Sequence, residues 1–169
     1  PTFTYMPQTT FKWMEDFESF QSDLVKTTKS NTVVHIYSGD ERDMEHGGNV
    51  CGQIVLKDST TYFEVYNNEK LYDIPSLGDN VYLEISYKCD DVMTVGIYAY
   101  YDYGSNIVQT PIMRCNPTDE WKKVYVYMTN TIANYFSADS FRIYLSGGSI
   151  AEETTERKEF YIDNLKLLY

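Results

Sequence analysis

"VYLEISYKC", residues 81–89, and "TVGIYAYYDY", residues 94–103, alternate apolar side chains with polar or tyrosyl ones. Successive side chains of a β-strand point to opposite faces of its sheet, so this pattern predicts two strands with one buried face each. Similar segments recur along the chain, separated by turn-forming clusters such as Ser38-Gly39-Asp40. The predicted strands are Val33–Tyr37, Gln53–Lys57, Tyr62–Tyr66, Val81–Cys89, Thr94–Tyr103, Ile107–Arg114, Trp121–Met128, Phe141–Leu145 and Glu159–Leu168.

Helical patterning is confined to Phe17–Lys26, with Thr131–Phe136 as a further candidate turn. Phe17–Phe20 can also be interpreted as the end of a strand. Many short strands without an internal repeat are typical of an antiparallel sandwich. We therefore predict an all-β, two-sheet antiparallel β-sandwich of the jelly-roll kind, built as a single domain from residues 1–169.

The 169-residue chain has a net charge of −11, with 14 basic and 25 acidic residues. Such a chain repels phosphate backbones, so nucleic acid is not an expected partner. No apolar run approaches the roughly 20 residues that cross a bilayer, so no transmembrane segment is expected. The chain begins at Pro1 without a signal peptide, and we expect it to be a piece excised from a longer protein.

Each predicted strand separates into an aliphatic set and an amphipathic set of side chains. Val81, Leu83 and Ile85 form one aliphatic set. Tyr101 and Tyr103 follow the aliphatic set of strand 94–103, so we expect them on the core side or at the rim of the core. We expect strands 81–89, 94–103, 121–128 and 141–145 to share one sheet. Its outer face would then carry the predicted ligand-binding residues, which are Tyr82, Glu84, Lys88, Tyr98, Tyr100, Asp102, Trp121, Lys123, Tyr125, Arg142 and Tyr144.

Flat amphipathic rings among charged groups suit a sugar. The apolar face of a pyranose stacks on aromatic rings, and its hydroxyls need partners such as carboxylates, arginine or lysine. The face therefore predicts binding of an oligosaccharide or polysaccharide. Two alternatives stay open: the aromatic pairs only stabilise an exposed sheet, or the face docks against a neighbouring domain or surface protein.

The chain has none of the local motifs of a nucleophilic triad, a catalytic zinc site or a phosphate-binding loop. We therefore predict that it is not an enzyme. A glycoside hydrolase is a minor alternative, with Glu84 and Asp102 as the paired carboxylates.

Three cysteines, Cys51, Cys89 and Cys115, cannot all pair within one chain. None lies in a pattern with metal-ligand spacing. Buried or free thiols are the favoured interpretation, and a Cys89–Cys115 disulfide is the alternative.

Acidic residues lie near both ends of the chain, at Glu15, Asp16 and Glu18 and at Asp163. Calcium takes several oxygen ligands, and acidic residues from two termini can supply them. A structural calcium ion is therefore the one cofactor that we expect.

The start "MEDFES", residues 14–19, and the end "FYIDNLKLLY", residues 160–169, resemble the galactose-binding-like β-sandwich families, which include many carbohydrate-binding modules. In several of these families, acids of the first and last strands hold a structural calcium. The resemblance implies Glu18 and Asp163 as metal ligands, with Asp16 next. The chain departs from the pattern at Ser19-Phe20, where a glycine usually follows.

The stretches "YDIPSLGDNVYLEISYKCDDVMTVGIYAYY", "WKKVYVYMTNTI" and "FRIYLSGG" are similar to surface lipoproteins of glycan-foraging Gram-negative gut bacteria. This resemblance implies a noncatalytic glycan-binding accessory domain. It also implies a lipid anchor upstream of the fragment and a location in the periplasm or on the outer face of the outer membrane.

Overall fold

The computed structural model describes residues 11–43, 48–75, 79–150 and 154–169. None of the helical segments in this part of the chain is long and apolar enough to span a bilayer. A single 3-10 turn spans Asp102–Gly104, and the helix α1 spans Thr129–Asn134. The strands are β1 (Phe11–Glu15), β2 (Leu24–Lys26), β3 (His35–Tyr37), β4 (Cys51–Asp58), β5 (Tyr62–Asn67), β6 (Tyr82–Cys89), β7 (Met93–Tyr101), β8 (Asn106–Cys115), β9 (Thr118–Tyr127), β10 (Ser140–Gly148) and β11 (Thr154–Leu168).

The strands form two antiparallel sheets. The six-stranded sheet has the order β3-β4-β11-β6-β9, and β1 also pairs with β11. The five-stranded sheet has the order β2-β5-β10-β7-β8. The predicted all-β, two-sheet antiparallel β-sandwich is confirmed, and each of the nine predicted strands overlaps an observed one.

The predicted helix over Phe17–Lys26 is wrong. Phe17 and Phe20 both have a φ of 58°, which breaks a right-handed helix, and the segment ends in the short strand β2. The carboxylate of Glu15 closes this turn by accepting hydrogen bonds from the backbone N–H groups of Phe17 and Asp23. Alternation over only three to five residues is too brief to predict β1 or β2.

Strand β11 changes partners along its length. Residues 154–162 pair with β4, residues 165–168 pair with β1, and β6 pairs with both parts. The register shifts after Asp163, where Asn164 has a φ of 53°. Such a bulge turns the strand locally, so Asp163 lies where one neighbour ends and the other begins.

The core lies between the sheets and contains the predicted aliphatic sets. Val81, Leu83 and Ile85 are fully buried. Phe63 of β5 contacts Phe160 of β11 edge to face, with ring centroids 4.9 Å apart, and this contact joins the two sheets. Tyr103 is an exception to its predicted place, because β7 ends at Tyr101 and the turn leaves this ring fully exposed.

All three cysteines are buried free thiols. Burial raises the pKa of Cys51 to about 12, that of Cys89 to about 11 and that of Cys115 to about 12. At neutral pH the thiols are therefore protonated and behave as small apolar side chains.

We expect Gly96→Ala to lower the free energy of unfolding by about 1–3 kcal/mol, because overpacking forces the backbone apart. A Cβ atom at Gly96 in β7 would lie 2.4 Å from the carbonyl oxygen of Thr110 and 2.5 Å from the ring of Tyr144. Urea unfolding measures the change. Thr94→Ala, at a partly exposed position of the same strand, is the control, and equal effects of the two substitutions would contradict the packing argument.

Candidate functional site

The structure divides the predicted ligand-binding residues between the two sheets. Strands β6 and β9 belong to the six-stranded sheet, and β7 and β10 belong to the five-stranded sheet. The prediction that these four strands share a sheet is therefore wrong. The outer side of the six-stranded sheet carries Tyr82, Glu84, Lys88, Trp121, Lys123 and Tyr125, and that of the five-stranded sheet carries Tyr98, Tyr100, Arg142 and Tyr144.

Residues 90–92 cause this division, because they cross from one sheet to the other instead of closing a hairpin. The carboxylate of Asp90 accepts a hydrogen bond of 2.8 Å from the backbone N–H of Glu159, and Asp91 forms an ion pair with Lys158. Both contacts fix the crossing to β11. The same turn-forming residues suit a connection between two sheets and a hairpin within one sheet. The local sequence therefore does not distinguish the two kinds of connection.

Asp102 belongs to neither group, because it lies in the exposed turn after β7. Its carboxylate accepts a hydrogen bond from the side-chain amide of Asn106. Glu84 lies on the other sheet, so the structure does not bring together the two carboxylates of the hydrolase alternative.

Two predicted residues of the six-stranded sheet hold a loop. The indole N–H of Trp121 donates a 2.7 Å hydrogen bond to the carbonyl oxygen of Glu41, and Lys88 forms an ion pair with the carboxylate of the same residue. Their polar groups are therefore used in fixing the segment before β4 over this end of the sheet.

The outer side of the five-stranded sheet carries a cluster of tyrosines. The ring centroid of Tyr98 lies 5.1 Å from that of Tyr144, 6.2 Å from that of Tyr66 and 6.3 Å from that of Tyr100. Tyr98, Tyr100 and Tyr144 are only 9%, 7% and 3% exposed. The rings therefore pack mainly on one another and leave little of their area open to solvent.

A buried carboxylate organises this cluster. Glu64 of β5 accepts hydrogen bonds from the hydroxyls of Tyr98 at 2.6 Å and Tyr62 at 2.8 Å, and from the amide of Gln109 at 2.7 Å. The Lys29 ammonium lies 3.5 Å from the same carboxylate and donates to Gln109 at 2.8 Å. Every polar group around Glu64 is thereby held in one orientation.

The electrostatics follow from these contacts. Burial raises the pKa of Glu64, but the hydrogen bonds from Tyr98, Tyr62 and Gln109 outweigh burial and leave the pKa below its usual value. Burial, together with the hydrogen bond to Glu64, raises the pKa of Tyr98. At neutral pH the site therefore holds an ionised carboxylate among protonated phenols.

Two cations lie over the rings. The Arg142 guanidinium is 4.5 Å from the centroid of Tyr66, and the Lys70 ammonium is 4.5 Å from that of Tyr100. Arg142 donates from one terminal nitrogen to the carbonyl oxygen of Asn68 at 2.8 Å. Its Nε is buried and has no hydrogen-bond partner among the described residues.

The tyrosine face is the name that we give to this surface. It comprises Tyr62, Glu64, Tyr66, Tyr98, Tyr100, Gln109, Arg142 and Tyr144. Tyr62, Glu64, Tyr66 and Gln109 were not among the predicted ligand-binding residues, although period-two alternation in the predicted strand Tyr62–Tyr66 places the first three on one side. Lys29 and Lys70 come from loops, and no periodic signal indicates them.

The predicted calcium ligands have different surroundings. The Glu18 carboxylate accepts hydrogen bonds from the backbone N–H of Asn49 at 2.6 Å, from its side chain at 2.9 Å and from the N–H of Val50 at 3.3 Å. Asp16 accepts a hydrogen bond of 3.1 Å from the N–H of Glu18. Both carboxylates therefore accept hydrogen bonds from the backbone around them.

Asp163 is different because it is only 1% exposed and is incompletely paired. Its Oδ1 accepts a hydrogen bond from the N–H of Asn164 at 2.7 Å, whereas Oδ2 has no partner among the described residues. Burial, with the charges of Asp43, Glu18 and Asp16, raises its pKa to about 7. In the part of the chain that the structure describes, no three His, Cys, Asp or Glu side chains are grouped to hold a metal ion.

No protein-family model matches the chain, and no curated protein matches it. Solved structures do. A solved structure of carbohydrate-binding modules from the beta-sandwich superfamily superposes on this chain with a TM-score of 0.64 at 10% identity. The match covers 93% of this chain but only 62% of that one.

Two further structures match over nearly their whole length. The family 11 carbohydrate-binding module of the cellulase Lic26A-Cel5E of Clostridium thermocellum has a TM-score of 0.60 at 14% identity, with 94% of each chain covered. A family 29 module mutant complexed with cellulohexaose has a TM-score of 0.57 at 12% identity, with 96% and 93% covered. The chain therefore has the β-sandwich fold of carbohydrate-binding modules.

We expect Glu64→Gln to lower the free energy of unfolding by roughly 1.5–3 kcal/mol at pH 7, because a charged acceptor of several hydrogen bonds is lost. The lowered pKa means that the stabilisation is complete above the ordinary value of 4.5 and is lost as pH falls through the folded-state pKa. Unfolding in urea at several pH values measures both effects. Glu69→Gln, which removes an exposed ion pair with Lys12, is the control. Equal pH profiles of Glu64→Gln and the unsubstituted protein would contradict the network.

Proposed function

We propose that the chain is a noncatalytic carbohydrate-binding domain whose ligand, an oligosaccharide or polysaccharide, lies on the tyrosine face. The observation that carries this proposal is the fixed network around Glu64 beside the partly exposed guanidinium of Arg142. Fixed donors and acceptors among aromatic rings are what sugar hydroxyls and an apolar sugar face require. The family 29 module with the same fold, complexed with cellulohexaose, supports this choice of ligand class.

Each part of the face has a distinct task in this proposal. Arg142 donates to sugar hydroxyls, and Gln109 and Lys29 supply polar contacts at the rim. The half-buried rings of Tyr62 and Tyr66 offer apolar surface to a pyranose. Because Glu64 already holds its neighbours in place, binding costs little reorganisation of the face.

We expect Arg142→Met to weaken glycan binding by roughly tenfold or more, since it removes charge-assisted hydrogen bonds. Tyr66→Ala should weaken it by roughly two- to tenfold through lost ring contact. A glycan array identifies the ligand, and isothermal titration measures the affinities. Trp121→Ala is the matched control, because this aromatic residue lies on the other sheet.

The proposal fails if the folded protein binds no plant or host polysaccharide at millimolar concentration. A loss of binding with Trp121→Ala but not with Arg142→Met would place the ligand elsewhere.

The second candidate function is docking of the tyrosine face against a neighbouring domain or another surface protein. The low exposure of Tyr98, Tyr100 and Tyr144 is the observation that favours it, because rings covered by their neighbours offer little stacking area. Cross-linking of the full-length protein distinguishes the two functions. A docked tyrosine face is protected from solvent labelling, whereas a glycan-binding face is protected only when sugar is added.

We propose a location in the periplasm or on the outer face of the outer membrane, with a lipid anchor upstream of this fragment. The support is the resemblance to surface lipoproteins, together with a ligand class that is found outside the cell. Labelling of intact cells with an impermeant reagent tests the location, and protection until the outer membrane is opened would exclude the surface.

We further propose that a calcium ion binds beside Asp163. The buried Oδ2 of Asp163 and the buried hydroxyl of Ser86, its neighbour across the strands, have no hydrogen-bond partners among the described residues. Asp43 is buried nearby and repels the charge of Asp163. These groups are hard oxygen donors of the kind that calcium prefers. Calcium also takes backbone carbonyl oxygens as ligands, and these would complete the coordination that the two carboxylates begin. Glu18 and Asp16 would orient the surrounding backbone.

We expect calcium to raise the free energy of unfolding at pH 8, by about 2.7 kcal/mol at a concentration one hundred times its dissociation constant. Without calcium the raised pKa of Asp163 has the opposite consequence: stability falls as pH rises from the ordinary value of 3.8 toward about 7. Asp163→Asn should abolish both effects. Thermal unfolding with calcium or a chelator measures them, and Asp73→Asn at an exposed position is the control. An equal calcium effect in the Asp163 and Asp73 variants would contradict the site.

A further inference from the structure

The outer side of the six-stranded sheet has a second aromatic surface at the end where β1 pairs with β11. Two rows of side chains run across four strands there, following the register of the sheet. The first row consists of Trp13, Lys166, Glu84 and Tyr125, and the second of Phe11, Leu168, Tyr82 and Tyr127. We call these rows, together with Lys123, the Trp13 face.

The rings of the Trp13 face are open, unlike most of those of the tyrosine face. Trp13 is 46% exposed, and Tyr125 is 56% exposed. Lys166 lies over the indole of Trp13, 4.1 Å from its centroid, and fixes this ring in place. At about 4.8 Å between neighbouring strands, Trp13 and Tyr125 lie roughly 14 Å apart, which leaves room for a ligand longer than one sugar ring.

The centre of the Trp13 face is positively charged. The ammonium groups of Lys166 and Lys123 lie 3.1 Å and 3.4 Å from the same oxygen of Glu84. One carboxylate therefore pairs with two cations, so these three groups together carry one positive charge. The chain as a whole has a net charge of −11. Such a centre favours a ligand that carries negative charge.

We propose that the Trp13 face binds an acidic polysaccharide, a polyuronate whose carboxylates pair with Lys166 and Lys123 and whose rings stack on Trp13 and Tyr125. The core of a protein–protein interface is depleted of charged side chains, whereas here three charged groups occupy the centre. Carboxylate-bearing sugar rings match both the charge and the flat open rings. This site is separate from the tyrosine face and does not depend on the function proposed for that face.

The probe pair is polygalacturonate and its methyl ester, which has the same chain without the charge. Trp121→Phe leaves Trp13 as the only tryptophan, so its fluorescence reports occupancy directly. We expect polygalacturonate to change this fluorescence at low salt, the affinity to fall as salt is added, and the methyl ester to bind more weakly.

Two substitutions should act in opposite directions. Glu84→Gln removes the competing carboxylate and should tighten binding of polygalacturonate by roughly two- to fivefold, whereas Lys166→Gln should weaken it by a similar factor. Trp13→Ala should weaken binding by roughly two- to tenfold when titration calorimetry replaces fluorescence. A general loss of folding cannot produce a gain with Glu84→Gln and a loss with Lys166→Gln.

Lys57→Gln, which removes an exposed positive charge of β4 outside both faces, should leave polygalacturonate binding unchanged. Because the fluorescence of Trp13 reports the Trp13 face alone, failure of either face is separately visible. The proposal is overturned if polygalacturonate does not bind, if its methyl ester binds equally well, or if Glu84→Gln weakens binding. It is also overturned if Trp13 in the full-length protein is shielded by another domain, which would be seen as resistance of its indole to chemical modification.

Discussion

The pairing of β11 is the constraint on which the rest of the structure depends. The strand has β6 on one side along most of its length, and on the other side it exchanges β4 for β1 near Asp163. The exchange coincides with the bulge at Asn164, and beside it Asp163 is buried close to Asp43 and Glu18. The same strand receives the crossing at residues 90–92 and supplies Lys166 to the Trp13 face. A shift in the register of β11 by one residue would move its side chains, Asp163 and Lys166 among them, to the opposite face of the sheet.

The sequence predicts the faces of the strands better than the assembly of the sheets. Alternation assigned Val81, Leu83 and Ile85 to the core correctly, because one buried face is a local property of a strand. The partner of a strand is a long-range property, and strands β6 and β7, expected in one sheet, belong to two. The predicted site was divided for this reason alone.

Other parts of the site could not be predicted for different reasons. Glu64 was missed although its strand alternates, since a carboxylate between two tyrosines does not by itself indicate burial. Lys29 reaches Glu64 from a distant loop, and Lys166 reaches Glu84 across a strand pair, so both contacts exist only after folding. The acidic residues at the two ends were predicted as calcium ligands from their chemistry and from resemblance. The structure distinguishes Asp163, which is buried and incompletely paired, from Glu18, whose oxygens already accept hydrogen bonds.

The three buried thiols have a consequence for how the protein would respond to oxidising conditions. A compartment that favours disulfides would oxidise an exposed cysteine, and an odd number of thiols would leave one to pair with another molecule. Here burial both hides each sulfur and suppresses its thiolate form, so exchange can begin only when the sandwich opens. Cys115 ends β8 and Cys89 ends β6, so local opening of these two strand ends would expose both sulfurs before the rest of the sandwich unfolds.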